Sequence, residues 1–192
     1  YMVKSETSYW EVPYLPINPA DLNREYEPVI RINSQSGKGG AAFVLQQTVG
    51  YELPKNMHPE FGDIVKAAAD ASGAELNPAQ IVDLFNEEYI TFAGKYKLLK
   101  HRFLEEHEED ENHSTRFEGI VSVDGEEKAV TGIGNGPIDA FFQALAGIGV
   151  VGYEFISYQE HAISKGSDAK AISYIELKVP GNGHIFGVGI HS

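Results

Sequence analysis

Asp124-Gly125 stands between residues 117–123 and 128–133, two runs rich in strand formers. A two-residue turn of this type needs positive φ at both central positions, and Asp-Gly supplies them at low cost, so an antiparallel strand pair is expected here. The second strand leads into Gly134-Asn135-Gly136-Pro137. Proline suits the first turn of a helix, and Ile138, Phe141, Phe142 and Leu145 follow at helical spacing until Gly147 and Gly149 mark an end.

With a further strand near residues 96–104, this makes one round of three strands and a helix. Strand candidates at 153–158, 171–179 and 185–190 make a second round. Gly132-Ile133-Gly134 in the first is echoed by Gly187-Val188-Gly189 in the second. The helix that should close the second round does not follow before Ser192, and Tyr1 precedes Met2, so the stretch reads as part of a longer chain. Between the first two strands of the first round, residues 105–113 are strongly acidic and read as a solvated loop.

The first half has a different texture. Pro13, Pro16, Pro19 and Pro28 disfavour helix across residues 11–28 and favour an extended, packed arm. Residues 29–32 and 42–45 read as a strand pair around Ser36-Gly37-Lys38-Gly39-Gly40. Two helices follow. One starts near Pro59, buries Phe61, Ile64, Val65 and Ala68, and ends at Gly73. The other is capped by Asn77, with Pro78 at its first position and Gln80 completing a capping box. A linker at 91–95 divides the chain into residues 1–94 and 95–192. The fold class is α+β: a linker subdomain with a strand pair and two helices, then two pseudo-symmetric βββα units, the last helix absent.

Composition narrows the chemistry. With no cysteine there is no thiolate nucleophile, disulfide framework or Cys-based zinc site. A formal charge of -13, with 15 Lys+Arg scattered, opposes nucleic acid and anionic membrane as partners. No apolar run reaches the roughly 18 residues of a membrane helix, and no basic-then-apolar leader opens the sequence, so a cytoplasmic protein is expected. The Gly37-Lys38 loop is not a phosphate loop, because Asn33 and Gly39 stand where glycine and Ser/Thr are required. His101, His107 and His113 recur at a spacing that matches no metal-ligand pattern, and no metal site is expected.

The start of the helix at Pro137 is the strongest candidate site. Its first amides lack helical partners and its dipole favours an anion, while the same residues also suit an ordinary strand-to-helix turn. Ala169 and Ala171 share one strand face, which either packs a neighbour or leaves room for a ligand.

Val12-Pro13-Tyr14-Leu15-Pro16-Ile17, the run from Val29 to Gly40 containing Asn33-Ser34-Gln35-Ser36-Gly37-Lys38-Gly39-Gly40, Gly134-Asn135-Gly136-Pro137 and Glu160-His161-Ala162 closely resemble the C-terminal part of the 2-isopropylmalate synthase family. The resemblance covers nearly the whole chain. It implies linker subdomains followed by a leucine-binding allosteric domain in a homodimeric acyltransferase, which condenses acetyl-CoA with 2-oxoisovalerate and is inhibited by leucine. The family's divalent metal lies in a (β/α)8 barrel of about 250 residues, joined as the N-terminal catalytic part. No cofactor is therefore expected in this stretch, and no synthase activity from it alone.

The resemblance further implies a leucine pocket at Asn135, Gly136, Ile138, Phe155, Tyr158, Ala162, Ala169 and Ala171, with Asp168 beside it for the ammonium group. It implies a role for Tyr14 in the partner subunit's active site, although a tyrosine packed in a proline-rich arm needs no catalytic role. Two departures from the family are the loop before Phe155, one residue longer, and the missing last helix. A ligand-free dimerisation module, and the isoleucine-sensing domain of citramalate synthase, are the alternatives.

Overall fold

A computed structural model describes residues 39–107, 113–164, 166 and 169–191. Its first element, α1 (Gly40–Val49), corrects the sequence expectation, because residues 42–45 are helical and not a strand. Ala41, Val44 and Leu45 fall on one helical face and are buried together. Alanine, leucine and glutamine favour the helix locally, and burial of that face overrides the strand preference of Phe43-Val44. Gly50 ends α1 at φ 75° and donates its N–H to the carbonyl of Gln46. The proposed partner strand at 29–32, the proline-rich arm and Tyr14 lie outside the described residues.

A short 3-10 turn (Lys55–Met57) leads into α2 (His58–Ser72), and α3 (Pro78–Phe85) runs on into a single π-helical turn (Asn86–Ile90). Both helix ends read from the sequence are present. Gly73 closes α2 at φ 64°, and Asn77 accepts from the Gln80 N–H at 3.0 Å while its own N–H reaches Gln80 Oε1 at 2.9 Å. Asn77→Ala removes the side-chain acceptor of the Gln80 N–H and keeps the backbone donor to Gln80 Oε1, and should lower stability by about 1 kcal/mol, read as a shift of the urea midpoint with unchanged slope. The helices meet on an aromatic core, with Phe85 5.3 Å from Phe61, 5.5 Å from Tyr51 and 5.0 Å from Tyr89 between ring centres.

Among the described residues six strands form two separate antiparallel meanders. The first holds β1 (Tyr96–His107), β2 (His113–Val123) and β3 (Glu126–Gly134); the second holds β4 (Glu154–Ala162), β5 (Ala171–Val179) and β6 (Gly183–His191). Asp124 at φ 53° and Gly125 at φ 88° make the expected hairpin turn. The acidic loop is shorter than expected: residues 105–107 still pair with 113–115, since backbone groups make the ladder and charge on side chains does not interrupt it. Residues 108–112 are outside the described residues.

Each meander has a bulge in its first strand, between Leu98 and Lys100 and between Phe155 and Ser157. Aligning the bulges relates the two units residue by residue. Leu98 opposite Val121 matches Phe155 opposite Leu177, and Phe117 opposite Gly132 then matches Ser173 opposite Gly189. The repeat is therefore real, with Gly132 corresponding to Gly189 and not to the Gly187 suggested by the glycine echo.

Helix α4 (Pro137–Ala146) packs on the first sheet through glycine and alanine. A Cβ on Gly132 would lie 2.2 Å from the Ala140 carbonyl oxygen and 2.4 Å from the Ala144 nitrogen. Ala140 and Ala144 are accordingly the residues of α4 that are fully covered. The larger apolar side chains singled out from the sequence are half-buried on its flanks, where Phe141 meets Phe117 of the first sheet at 5.1 Å and Phe142 meets Phe155 of the second at 5.4 Å. On β5, Ile172, Tyr174 and Glu176 alternate onto the buried face, and Ile172 and Tyr174 join the core of the helices, so the helical unit and the second sheet share one core.

Candidate functional site

Where β3 ends and α4 begins, Gly136 caps the helix in an extended conformation without a capping side chain. Ala140 N–H is the first to find a helical acceptor, the Gly136 carbonyl at 2.9 Å, so the amides of Ile138 and Asp139 precede the ladder. Asp139 bends back over this start. Its Oδ2 accepts the Asn135 N–H at 3.0 Å and its Oδ1 accepts from Gln143 Nε2 at 3.2 Å. The glycine required here is Gly134, where a Cβ would lie 2.4 Å from the Ala140 nitrogen; at Gly136 a Cβ would meet nothing within 4 Å.

The second sheet supplies the opposite wall. Strict alternation would put Phe155 and Tyr158, three residues apart, on opposite faces of β4. The bulge inserts Ile156 between paired positions, so Phe155 opposite Leu177 and Tyr158 opposite Ile175 face the same side. Between these walls lies a cleft of about 450 Å³, a volume in the range of small-molecule sites. Asn135, Ile138, Asp139 and Phe142 line it from the helix side, and Tyr153, Phe155 and Tyr158 from the other. Phe142 makes ring contacts with both Tyr153 (5.3 Å) and Phe155 (5.4 Å). Tyr158 donates to Glu160 Oε2 at 2.6 Å; that hydrogen bond first, and burial second, raise its phenol pKa, while burial raises that of Tyr153.

Four residues expected at a ligand site, Asn135, Ile138, Phe155 and Tyr158, thus line one cleft, with Gly136 at its helical edge. Ala162 and Ala171 pair with each other on the same sheet face, further from α4. Four residues beyond Tyr158, Ala162 is displaced roughly 13 Å along the strand. Neither it, Ala169 nor Ala171 lines the cleft. Asp168 lies outside the described residues. Asp139 and Tyr153 are lining residues the sequence reading did not single out. An acid in the first turn after a Gly-Pro helix start was the available signal for Asp139.

A larger concavity of about 590 Å³ opens on the other face of the first sheet, between Lys100, Arg102, Arg116 and Thr131. Its Arg102 is already held by Glu118, Nε to Oε2 at 2.8 Å, and no apolar wall of comparable aromatic character encloses it. The α4 cleft combines an aromatic wall, helix-start amides outside the helical ladder and a carboxylate, and is the better-formed small-molecule site. His101 stacks on Phe117 at 6.1 Å, as part of the first sheet's aromatic cluster. Among the described residues no three His, Asp or Glu side chains gather to hold a metal ion.

Residues 75–192 match the family described as the LeuA allosteric (dimerisation) domain, and residues 1–46 match the alpha-isopropylmalate synthase post-catalytic domain-like family. The chain is 44% identical to a 2-isopropylmalate synthase of Clostridium acetobutylicum over 97% of its own length and 34% of that protein. It is 43% identical to one from Mesorhizobium japonicum, covering 98% of this chain and 34% of the relative, and 40% identical to one from Mycobacterium leprae, covering 94% and 29%. The chain spans about a third of the length of these curated relatives.

Proposed function

Because the chain belongs to the LeuA allosteric (dimerisation) domain family, we propose that the cleft at the start of α4 binds free L-leucine and passes its occupancy to a catalytic part of the same protein. The observation that carries this reading is the convergence of Asn135, Ile138, Phe155 and Tyr158 on one open cleft, although they come from two units of the fold. The zwitterion suits both walls. The leucine carboxylate takes the amides of Ile138 and Asp139, its ammonium group takes the Asp139 carboxylate, and the isobutyl group lies against Ile138, Phe142 and Phe155. Burying that side chain contributes roughly 1.5–3 kcal/mol, so the charged ends must supply the remainder of a useful affinity.

In this reading residues 1–94 act as the linker and 95–192 as the allosteric and dimerisation domain of a cytoplasmic 2-isopropylmalate synthase, a homodimer inhibited by the end product of its pathway. The condensation of acetyl-CoA with 2-oxoisovalerate, and the divalent metal that serves it, belong to the barrel part, with Tyr14 reaching the partner subunit's active site. Inhibition is then a coupling free energy between two sites, on the order of 1–3 kcal/mol. Among the described residues no helix is long and apolar enough to cross a membrane.

Titration calorimetry tests the reading. Leucine should give saturable heat, and isoleucine, whose branch is moved by one carbon, should bind more weakly in the same cleft. No heat with millimolar leucine would leave the ligand-free dimerisation module standing. Tighter binding of isoleucine would favour the citramalate synthase alternative.

A further inference from the structure

Glu176 is buried to 3% exposure, and it is the one charged residue in the core of the described residues. Burying a carboxylate is costly unless it is paired and hydrogen-bonded. Glu176 has partners from three separate segments. Asn56 Nδ2, in the turn before α2, reaches its two oxygens at 3.3 and 3.4 Å; Ser157 Oγ on β4 donates at 3.0 Å; His184 Nδ1 on β6 lies 2.7 Å away. Burial raises the Glu176 pKa, but the bonds from His184, Ser157 and Asn56 outweigh it and hold the carboxyl below its ordinary value. An apolar contact of the same shape would serve stability as well as this cluster does.

A second polar contact joins the same two parts. The Glu52 N–H donates to His161 Nε2 at 3.0 Å, and the His161 ring stacks on buried Tyr174 at 5.9 Å. Both contacts tie residues 51–57, which plug Tyr51, Leu53 and Met57 into the helical core, to the second sheet.

Ser157 and His161 lie on β4, on the face opposite Phe155 and Tyr158. The bulge makes this so: Ser157 pairs with Glu176 and His161 with Ile172, both facing the helices, while Phe155 and Tyr158 face the cleft. The irregular point of the strand therefore sits between a cleft wall and a hydrogen bond to Glu176. At a bulge the extra residue is unpaired and the ladder locally disrupted, so this point of the strand is held less by its backbone bonds and more by what its side chains touch.

Resting on the leucine reading of the cleft, we propose that the Asn56–Glu176–Ser157–His184 cluster and the Glu52–His161 bond form the clamp that transmits cleft occupancy through β4 to residues 51–57. A ligand held against Phe155 and Tyr158 fixes the bulge, which fixes Ser157 on Glu176 and so steadies Asn56 and the turn that carries it. Coupling is reciprocal, so loosening the clamp from the far side weakens leucine binding by the factor with which leucine tightens the clamp.

Hydrogen exchange with mass detection, on the whole chain with and without saturating leucine, tests this. Leucine should slow exchange in peptides covering 51–57 on the order of fivefold or more, while peptides of α2 beyond residue 61 keep their rates. Asn56→Ala and Ser157→Ala should each abolish that protection and weaken leucine binding by a similar factor. Glu176→Gln should do the same, and the two milder variants keep the test meaningful if it fails to fold. Leucine that binds and protects the α4 start but leaves 51–57 unchanged overturns the clamp alone. Full protection at 51–57 in both Asn56→Ala and Ser157→Ala also overturns it. No heat and no protection anywhere overturns the cleft reading, and the clamp with it.

Discussion

Gly132→Ala should lower the stability of the protein by about 3 kcal/mol and abolish ligand binding at the α4 cleft. The added Cβ would fall 2.2 Å from the Ala140 carbonyl oxygen and 2.4 Å from the Ala144 nitrogen. Both are backbone atoms of α4, so no side-chain rotation relieves the contact and the whole helix must retreat from the sheet. Ile138, Asp139 and Phe142 move with it, and the helix side of the cleft is lost. Gly187→Ala on β6 is the control. A Cβ there meets nothing within 4 Å, and an alanine loses less backbone freedom than glycine in a strand, so the change should be neutral or stabilising by roughly 0.5 kcal/mol. Urea midpoints of the two variants check the pair. Equal midpoints would show that α4 does not approach β3 as closely as described.

Asp139→Asn should weaken leucine binding about 10- to 100-fold, the loss of a hydrogen bond to a charged group at about 1.5–3 kcal/mol. The substitution keeps the shape of the side chain, and an asparagine oxygen can still accept from the Asn135 N–H that holds the helix start. What it removes is the negative charge proposed to meet the ligand ammonium. Some stability goes as well, because an acid in the first turn complements the helix dipole by about 0.3–1 kcal/mol. Calorimetry together with a urea midpoint separates the two effects. An unchanged leucine affinity in a folded Asp139→Asn protein would remove Asp139 from the site, and the ammonium group would need another partner.

The cleft was half visible in the sequence. Asn135, Gly136 and Ile138 belong to a local signal, the strand that stops at glycine and the helix that opens at proline. The family resemblance that added Phe155 and Tyr158 is borne out by the match over residues 75–192, and both aromatics do line the cleft. Periodicity could not have placed them together, because a residue spacing of three on a regular strand sends side chains to opposite faces. The inserted Ile156 changes that parity. Asp139 was passed over since an acid in a first helical turn is ordinary, and its meaning depends on the aromatic wall facing it. Nothing in the strand run at 171–179 marks Glu176 for burial, and only its three partners explain it.

By itself the sequence determined the features whose causes are contained within a few residues. These are the hairpin at Asp124-Gly125, the capping box from Asn77 to Gln80, the glycine stops of the helices, the helix start at Pro137 and the two rounds of three strands. Turn dihedrals, missing amide partners and alternation act locally and leave a local signature. Tertiary structure decided the rest. Residues 42–45 became helix because a buried face formed with α2 and α3. The alanines of α4 took the closest contact with a sheet because Gly132 and Gly134 let its backbone approach, which left Phe142 to build a second interface and with it the cleft. Close packing is a property of two surfaces at once, so neither segment's pattern alone could specify it.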